Sequence, residues 1–287
     1  MKATKTPRVI VAPIVRRLHE GQTTDQDLVA VESPLEVVIT RAGSADPAQS
    51  LGLVMRTPGD DVDLVTGLLV TEQIITAAAD IAAIEFEAEV AAGETSVPAR
   101  PAVARVVLAA HVPPAAAAAS RALDRTSACG MCGRLAMQAL ATAGALAPDE
   151  PRIDPDVVSS LPQRLRGGQA VFEATGGLHA AALCALTGEP WVVREDVGRH
   201  NAVDKVIGAA LTMGRLPARD SLLAVSGRAA YEIVQKAALA GVIGVVAVGA
   251  PTSLAVEAAR AVGLTLVGFA RESRFNIYAG AGRVRPG

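Results

Sequence analysis

Three cysteines in 287 residues are too few for a disulfide scaffold, and in an oxidising compartment one would be left over. Aromatic residues make up only 2% of the chain, which argues against stacking platforms for single-stranded nucleic acid. There is no basic excess: the net charge is −2 and the pI is near 6.1, so no global field draws nucleic acid or anionic membrane. Lysine is scarce. Of 27 basic residues four are lysine (Lys2, Lys5, Lys205, Lys236) and the rest arginine, which with the abundant Ala and Gly fits a GC-rich genome. No long hydrophobic run is present. The longest uncharged stretch, 237–256, is broken by Gly241, Gly244, Gly249 and Pro251, so it reads as helix end, strand, turn and next helix rather than a membrane span. The apolar stretch 9–15 is short, contains Pro13 and runs into Arg16-Arg17 with no apolar region after it, which is no signal peptide. The expected compartment is the cytoplasm, with no nucleic-acid or membrane partner.

What is present is hydrophobic: 51% of residues, against 20% charged, which excludes a disordered chain. The expected organisation is an extended N-terminal arm (1–34), a small α+β domain (35–112) and an α/β domain (113–287). In the first domain, 35–41, 51–57, 82–90 and 104–110 read as strands and 60–75 as a helix. A helix is expected over 135–143, and a Pro-rich surface stretch over 148–162. Then 178–186 and 190–196 read as a hairpin. Strands over 221–226, 242–248 and 265–269 follow, separated by helices starting near Asn201, Ala229 and Ser253. Continuous apolar strands alternating with helices indicate a partly parallel sheet covered on both faces.

In such sheets, ligands bind beyond the carboxyl ends of the strands. Each strand end here leads into a turn rich in glycine or arginine: Glu195 to Asn201, Ser226-Gly227-Arg228, Gly249 to Ser253, and Phe269-Ala270-Arg271-Glu272-Ser273-Arg274. Parallel strands would set Arg199, Arg228, Arg271 and Arg274 along one rim. Any single turn is explained as well by ordinary caps and solvated arginines. Several on one edge favour an anionic, phosphate-bearing ligand, since glycines admit a ligand to the backbone and Arg forks match phosphate oxygens. His179 and His200 are placed to move a proton or bind a ligand oxygen, with a structural role as the alternative for each.

Ser127 to Arg134 carry a C-x-x-C pair, Cys129 and Cys132, each followed by a glycine (Gly130, Gly133) and just before an expected helix. A helix N-terminus lowers a thiol pKa and favours thiolate. The sequence has no second C-x-x-C, no H-x-E and no H-x-H, so no zinc is expected. A redox dithiol and a persulfide relay remain open. Cys184 lies in an apolar strand pattern and reads as a buried small hydrophobe.

These segments together resemble the FdhD family, the sulfur carrier proteins required for formate dehydrogenase activity. The resemblance rests on TGLLVTEQII (66–75), SACGMCGR (127–134), TGGLHAAAL (175–183), REDVGRHNAVDKVIG (194–208), SGRAAYEIVQKA (226–237) and 250–278. One departure is Gln73, where the family usually has glycine. The resemblance implies a sulfurtransferase with a cytidine-deaminase-like three-layer α/β domain. A cysteine desulfurase would load a persulfide onto Cys129, assisted by Cys132. The sulfur would pass to a molybdenum or tungsten bis(guanine dinucleotide) cofactor, bound as substrate, on its way to formate dehydrogenase. Residues Phe269 to Arg274 match the family's cofactor-binding stretch, and His179, Arg199, His200, Ser226, Gly227 and Arg228 complete the expected site. A homodimer is expected. A cofactor-binding chaperone without sulfur transfer and a C-x-x-C disulfide reductase are the alternatives.

Overall fold

A computed structural model describes residues 7–19, 21–90, 100–113 and 153–286. The cysteine pair and the helix expected over 135–143 lie outside these residues. Strands β1 (Val9–Leu18) and β2 (Gly21–Ala30) pair antiparallel, so within the segment expected as an extended arm the described residues form a β-ribbon. Strands β3 (Ser33–Arg41), β4 (Gln49–Arg56), β5 (Ile81–Glu87) and β6 (Ala102–Leu108) form a four-stranded sheet in the order β4-β3-β6-β5. Its strands alternate as half-buried strands should: Leu35, Val37 and Ile39 are buried, while Glu36, Val38 and Thr40 are not. Helix α1 (Asp61–Thr71) follows β4.

The larger sheet has six strands: β7 (His179–Ala185), β8 (Pro190–Asp196), β9 (Ser221–Val225), β10 (Gly244–Ala247), β11 (Thr265–Arg271) and β12 (Arg274–Ala279). Their order is β12-β11-β10-β9-β7-β8. Pairing is parallel between β9, β10 and β11, and antiparallel between β11 and β12, between β9 and β7, and between β7 and β8. Both faces are covered. Helices α2 (Pro155–Arg166) and α3 (Ala170–Thr175) lie on one side, and α4 (Arg199–Thr212), α5 (Tyr231–Leu239) and α6 (Ser253–Ala261) on the other. Val158, Leu161 and Leu165 of α2 meet Ala182, Cys184, Leu222 and Ala224 of the sheet. The opposite face, with Leu183, Leu223 and Val245, joins one continuous core that reaches Leu35 and Val106 of the small sheet.

Three elements differ from the sequence expectation. The stretch 148–162 contains the start of α2: Asp154 accepts from the N–H of Asp156, and Pro155 occupies the first turn. In its described part, 153–162, Ile153, Val158 and Leu161 are buried, so that part packs in the core rather than lying wholly on the surface. Helix α3 was not anticipated. Nor was β12, which turns the region after residue 269 into a hairpin.

Helices α1 and α4 join the two sheets through backbone contact. A Cβ at Gly67 would lie 1.8 Å from the carbonyl oxygen of Asp204, and one at Gly208 would lie 2.0 Å from that of Asp63. Only glycine permits this approach. At the end of α1 the chain closes in a Schellman turn: the Gln73 N–H donates to Val70 O at 2.9 Å and the Ile74 N–H to Leu69 O at 2.8 Å. That turn requires a left-handed residue, and Gln73 has φ 59°. This is the physical reason for a glycine at that position. Gly208→Ala is expected to lower stability by about 1–3 kcal/mol. Gln73→Gly, whose side chain is exposed, should raise it by about 0.5–1 kcal/mol. Urea unfolding midpoints check both.

Candidate functional site

Because β8, β9, β10 and β11 run in one direction, their carboxyl ends share an edge with the amino ends of β7 and β12. Across that edge stand Arg274 and Arg271, then Val248, then Ser226-Gly227, then His179, then the turn from Asp196 to Arg199. The rim expected from sequence is thus one edge in the fold.

Most of the segment EDVGRHNAVDK is frame. Lys205 is fully buried, and its ammonium meets Asp196 Oδ2 at 2.8 Å, Thr57 O at 3.0 Å and Glu195 O at 3.2 Å. Asp196, also fully buried, accepts further bonds from the Gly198 and Thr57 N–H groups and from Asn201 Nδ2. Glu195 accepts from the Val171 and Phe172 N–H groups at 3.0 and 2.7 Å, capping the first turn of α3. Asp204 is bound by Lys236 and Thr71. Two side chains of the segment are left over for other work, Arg199 and His200. Arg199 Nε is buried with no hydrogen-bond partner among the described residues.

Beside the rim, on the α2–α3 side, lies a cavity of 470 Å³ lined among others by Arg166, Gln169, Phe172, Gly176, Gly177, His179, Ser226 and Arg271. Ser226 extends the β7–β9 ladder: its N–H donates to Ala180 O and its Oγ accepts from the Ala180 N–H. The hydroxyl proton therefore remains for a ligand. His179 stands against Gly227, where a Cβ would come to 3.4 Å from Nδ1. Burial, then the charge of Arg199, holds its imidazole below the usual value, so it is neutral at neutral pH. Arg271 donates one terminal nitrogen to Val248 O and Ala270 O, which fixes the guanidinium at the mouth. Gln169 is 5% exposed, and its side chain has no hydrogen-bond partner among the described residues. Two arginines, two glycines and unspent polar groups suit an anion with several acceptor oxygens.

The family model for FdhD/NarQ matches residues 30–285. The chain belongs to the FdhD/NarQ family. It is 47% identical over 275 residues to the sulfur carrier protein FdhD of Nocardia farcinica, covering 95% of this chain and 93% of that one. It is 38% identical over 271 residues to the protein of the same name from Sulfolobus acidocaldarius, covering 94% and 96%. Among solved structures, a candidate formate dehydrogenase accessory protein from Desulfotalea psychrophila has the same fold. The TM-score is 0.71 at 23% identity, over 97% of this chain and all of that one.

The stretch of FdhD/NarQ chains represented here by Phe269 to Arg274 is the β11–β12 hairpin tip. Phe269 has φ 54°, strained for a bulky residue, and its side chain is 44% exposed. Ala270 is fully buried in the core and presents no surface to a ligand. Glu272, Ser273 and Arg274 are exposed, as is Arg228, and none of them lines the cavity. His200 turns away to a second cleft, where its Nε2 lies 3.1 Å from Glu232. Cys184 is buried in β7, which pushes its thiol up to about 12 and leaves it inert.

Sequence reading missed Arg166, Gln169 and Phe172, because it missed the helices that carry them. The Asp154-Pro155 start and the spacing of Val158, Leu161 and Leu165 were the available signal. Arg166 lies 5.0 Å over the Phe172 ring, so the two hold one wall together. Lys205→Met strands the Asp196 carboxylate in the core and should cost about 3–5 kcal/mol. The double variant with Asp196→Asn should recover part of that loss. Chemical denaturation of wild type, single and double variants measures it.

Proposed function

We propose that the protein is a sulfur carrier for formate dehydrogenase, accepting sulfane sulfur as a persulfide on Cys129. Family membership together with the curated names of the relatives is the observation that carries this reading. Cys132 assists as the neighbouring thiol. In loading, the Cys129 thiolate attacks the terminal sulfur of a cysteine desulfurase persulfide. A new S–S bond forms as the desulfurase thiolate leaves. In sequence a glycine follows each cysteine, Gly130 and Gly133, and Ala128 precedes the pair, which suits a sulfur that must be approached by partners.

The substrate that receives sulfur is a molybdenum or tungsten bis(guanine dinucleotide) cofactor, held at the carboxyl edge of the six-stranded sheet. The geometry supports this assignment. A dinucleotide carries pyrophosphates for Arg271, Arg166 and Arg199, and a hydroxyl donor is available at Ser226. Phe269 presents a solvent-facing ring for stacking on guanine. Neutral His179 offers a hydrogen bond without repelling a proton from the ligand. The deaminase-like description of the larger sheet belongs to the same reading.

Mass spectrometry of the full-length protein after incubation with a cysteine desulfurase and cysteine tests the carrier role. A gain of one sulfur atom on Cys129, absent in Cys129→Ala, is expected. Activation of formate dehydrogenase by Cys129→Ala at the wild-type level would overturn it. Phe269→Gly should relieve the left-handed strain and stabilise the fold by about 0.5–1 kcal/mol. The same change should weaken guanine nucleotide binding. Thermal unfolding and calorimetry read the two effects separately.

A further inference from the structure

Between α1, α4 and α5 lies a second cleft, of 190 Å³, which the nucleotide edge does not use. Apart from Glu72, just past the end of α1, its polar and charged groups divide into a closed set and an open set. The closed set is Lys236 with Asp204 and Thr71. The ammonium gives Asp204 Oδ1 and Oδ2 bonds of 2.7 and 2.8 Å and Thr71 Oγ1 one of 3.0 Å, so its three protons are spent and the Asp204 charge is offset.

The open set is Glu232, Gln235 and His200. Gln235 is 8% exposed and faces the cleft, and its side-chain amide has no hydrogen-bond partner among the described residues. The amide is open to the cleft, where water or a ligand can meet it. Glu232 is half-open to the cleft and lies beside His200. Burial holds the His200 imidazole below its usual value despite the Glu232 carboxylate, so at neutral pH it leaves that carboxylate's charge in place. His200 Nε2 is itself off the hydrogen-bond direction to Glu232.

The cleft therefore offers the Glu232 carboxylate and the Gln235 amide oxygen, with the Glu72 carboxylate also in its lining. Among the described residues, no three carboxylate, imidazole or thiol groups are arranged to hold a metal ion, and the volume exceeds that of a bare ion. We propose that this cleft binds a small organic cation, a primary ammonium or guanidinium compound, between Glu232 and Gln235. The cation's N–H groups donate to Glu232 Oε and Gln235 Oε1, and His200 forms the adjoining wall.

The test follows His200 by NMR in full-length protein with 13C-labelled histidine, using ethylammonium and guanidinium chloride at millimolar concentration and sodium chloride as the ionic-strength control. A saturable shift of the His200 signal is expected, with His179 and His111 unmoved. Glu232→Gln and Gln235→Leu should each weaken binding by about tenfold or more, and Gln235→Glu should tighten it. No saturable shift in wild type, or equal affinity in wild type and both weakening variants, would overturn the proposal.

Discussion

The buried pair of Lys205 and Asp196 fixes the geometry on which the edge of the large sheet depends. Both side chains are fully enclosed, and between them they bind the Thr57 backbone, the end of β8 and the first turn of α4. A charge pair withdrawn from water is not a large source of net stability, because desolvation offsets much of the attraction. What it supplies is registry. With every lone pair of Asp196 and every proton of Lys205 assigned, the turn that presents Arg199 has one arrangement. The glycine contact between α1 and α4 extends the constraint to the small sheet, so both sheets are referenced to the same helix.

This division explains why so polar a segment is needed at one turn. Glu195, Asp196, Asn201, Asp204 and Lys205 face inward and hold elements together. Apart from Arg199, the side chains free to meet a ligand come from other places in the chain: Arg166 and Gln169 from around α2, His179 from β7, Ser226 after β9 and Arg271 from β11. Glu195 links the two groups, since its carboxylate caps α3 and so positions the Phe172 wall. Specific sequence at the turn thus serves the site indirectly.

The parallel arrangement of β9 to β11 and the common edge were legible in the sequence, because continuous apolar runs alternate with helices and each run ends in Gly or Arg. The role of Gln73 was legible only as a departure from a family glycine; the left-handed turn supplies its cause. The α2 segment was obscured by its prolines. Pro155 is a helix-starting residue, and Pro162 sits within a helix whose apolar face still packs, so a Pro-rich composition misled where the apolar spacing did not. The inward roles of Asp196 and Lys205 were not legible either. Charged residues are almost never fully buried, and only tertiary structure shows that each has its partners. His200 shows the opposite limit: its neighbour Arg199 approaches His179 at the edge, yet one residue further along α4 the side chain faces another cleft.

We propose that this edge receives the guanine nucleotide portion of a bis(guanine dinucleotide) cofactor. Calorimetric titration of GDP into wild-type protein and into Arg271→Ala tests it most directly. Saturable binding to wild type at one site per chain is expected. A loss of affinity on the order of tenfold is expected in the variant, modest because Arg271 is exposed. No binding of GDP to wild type, or the same affinity in Arg271→Ala, would contradict it.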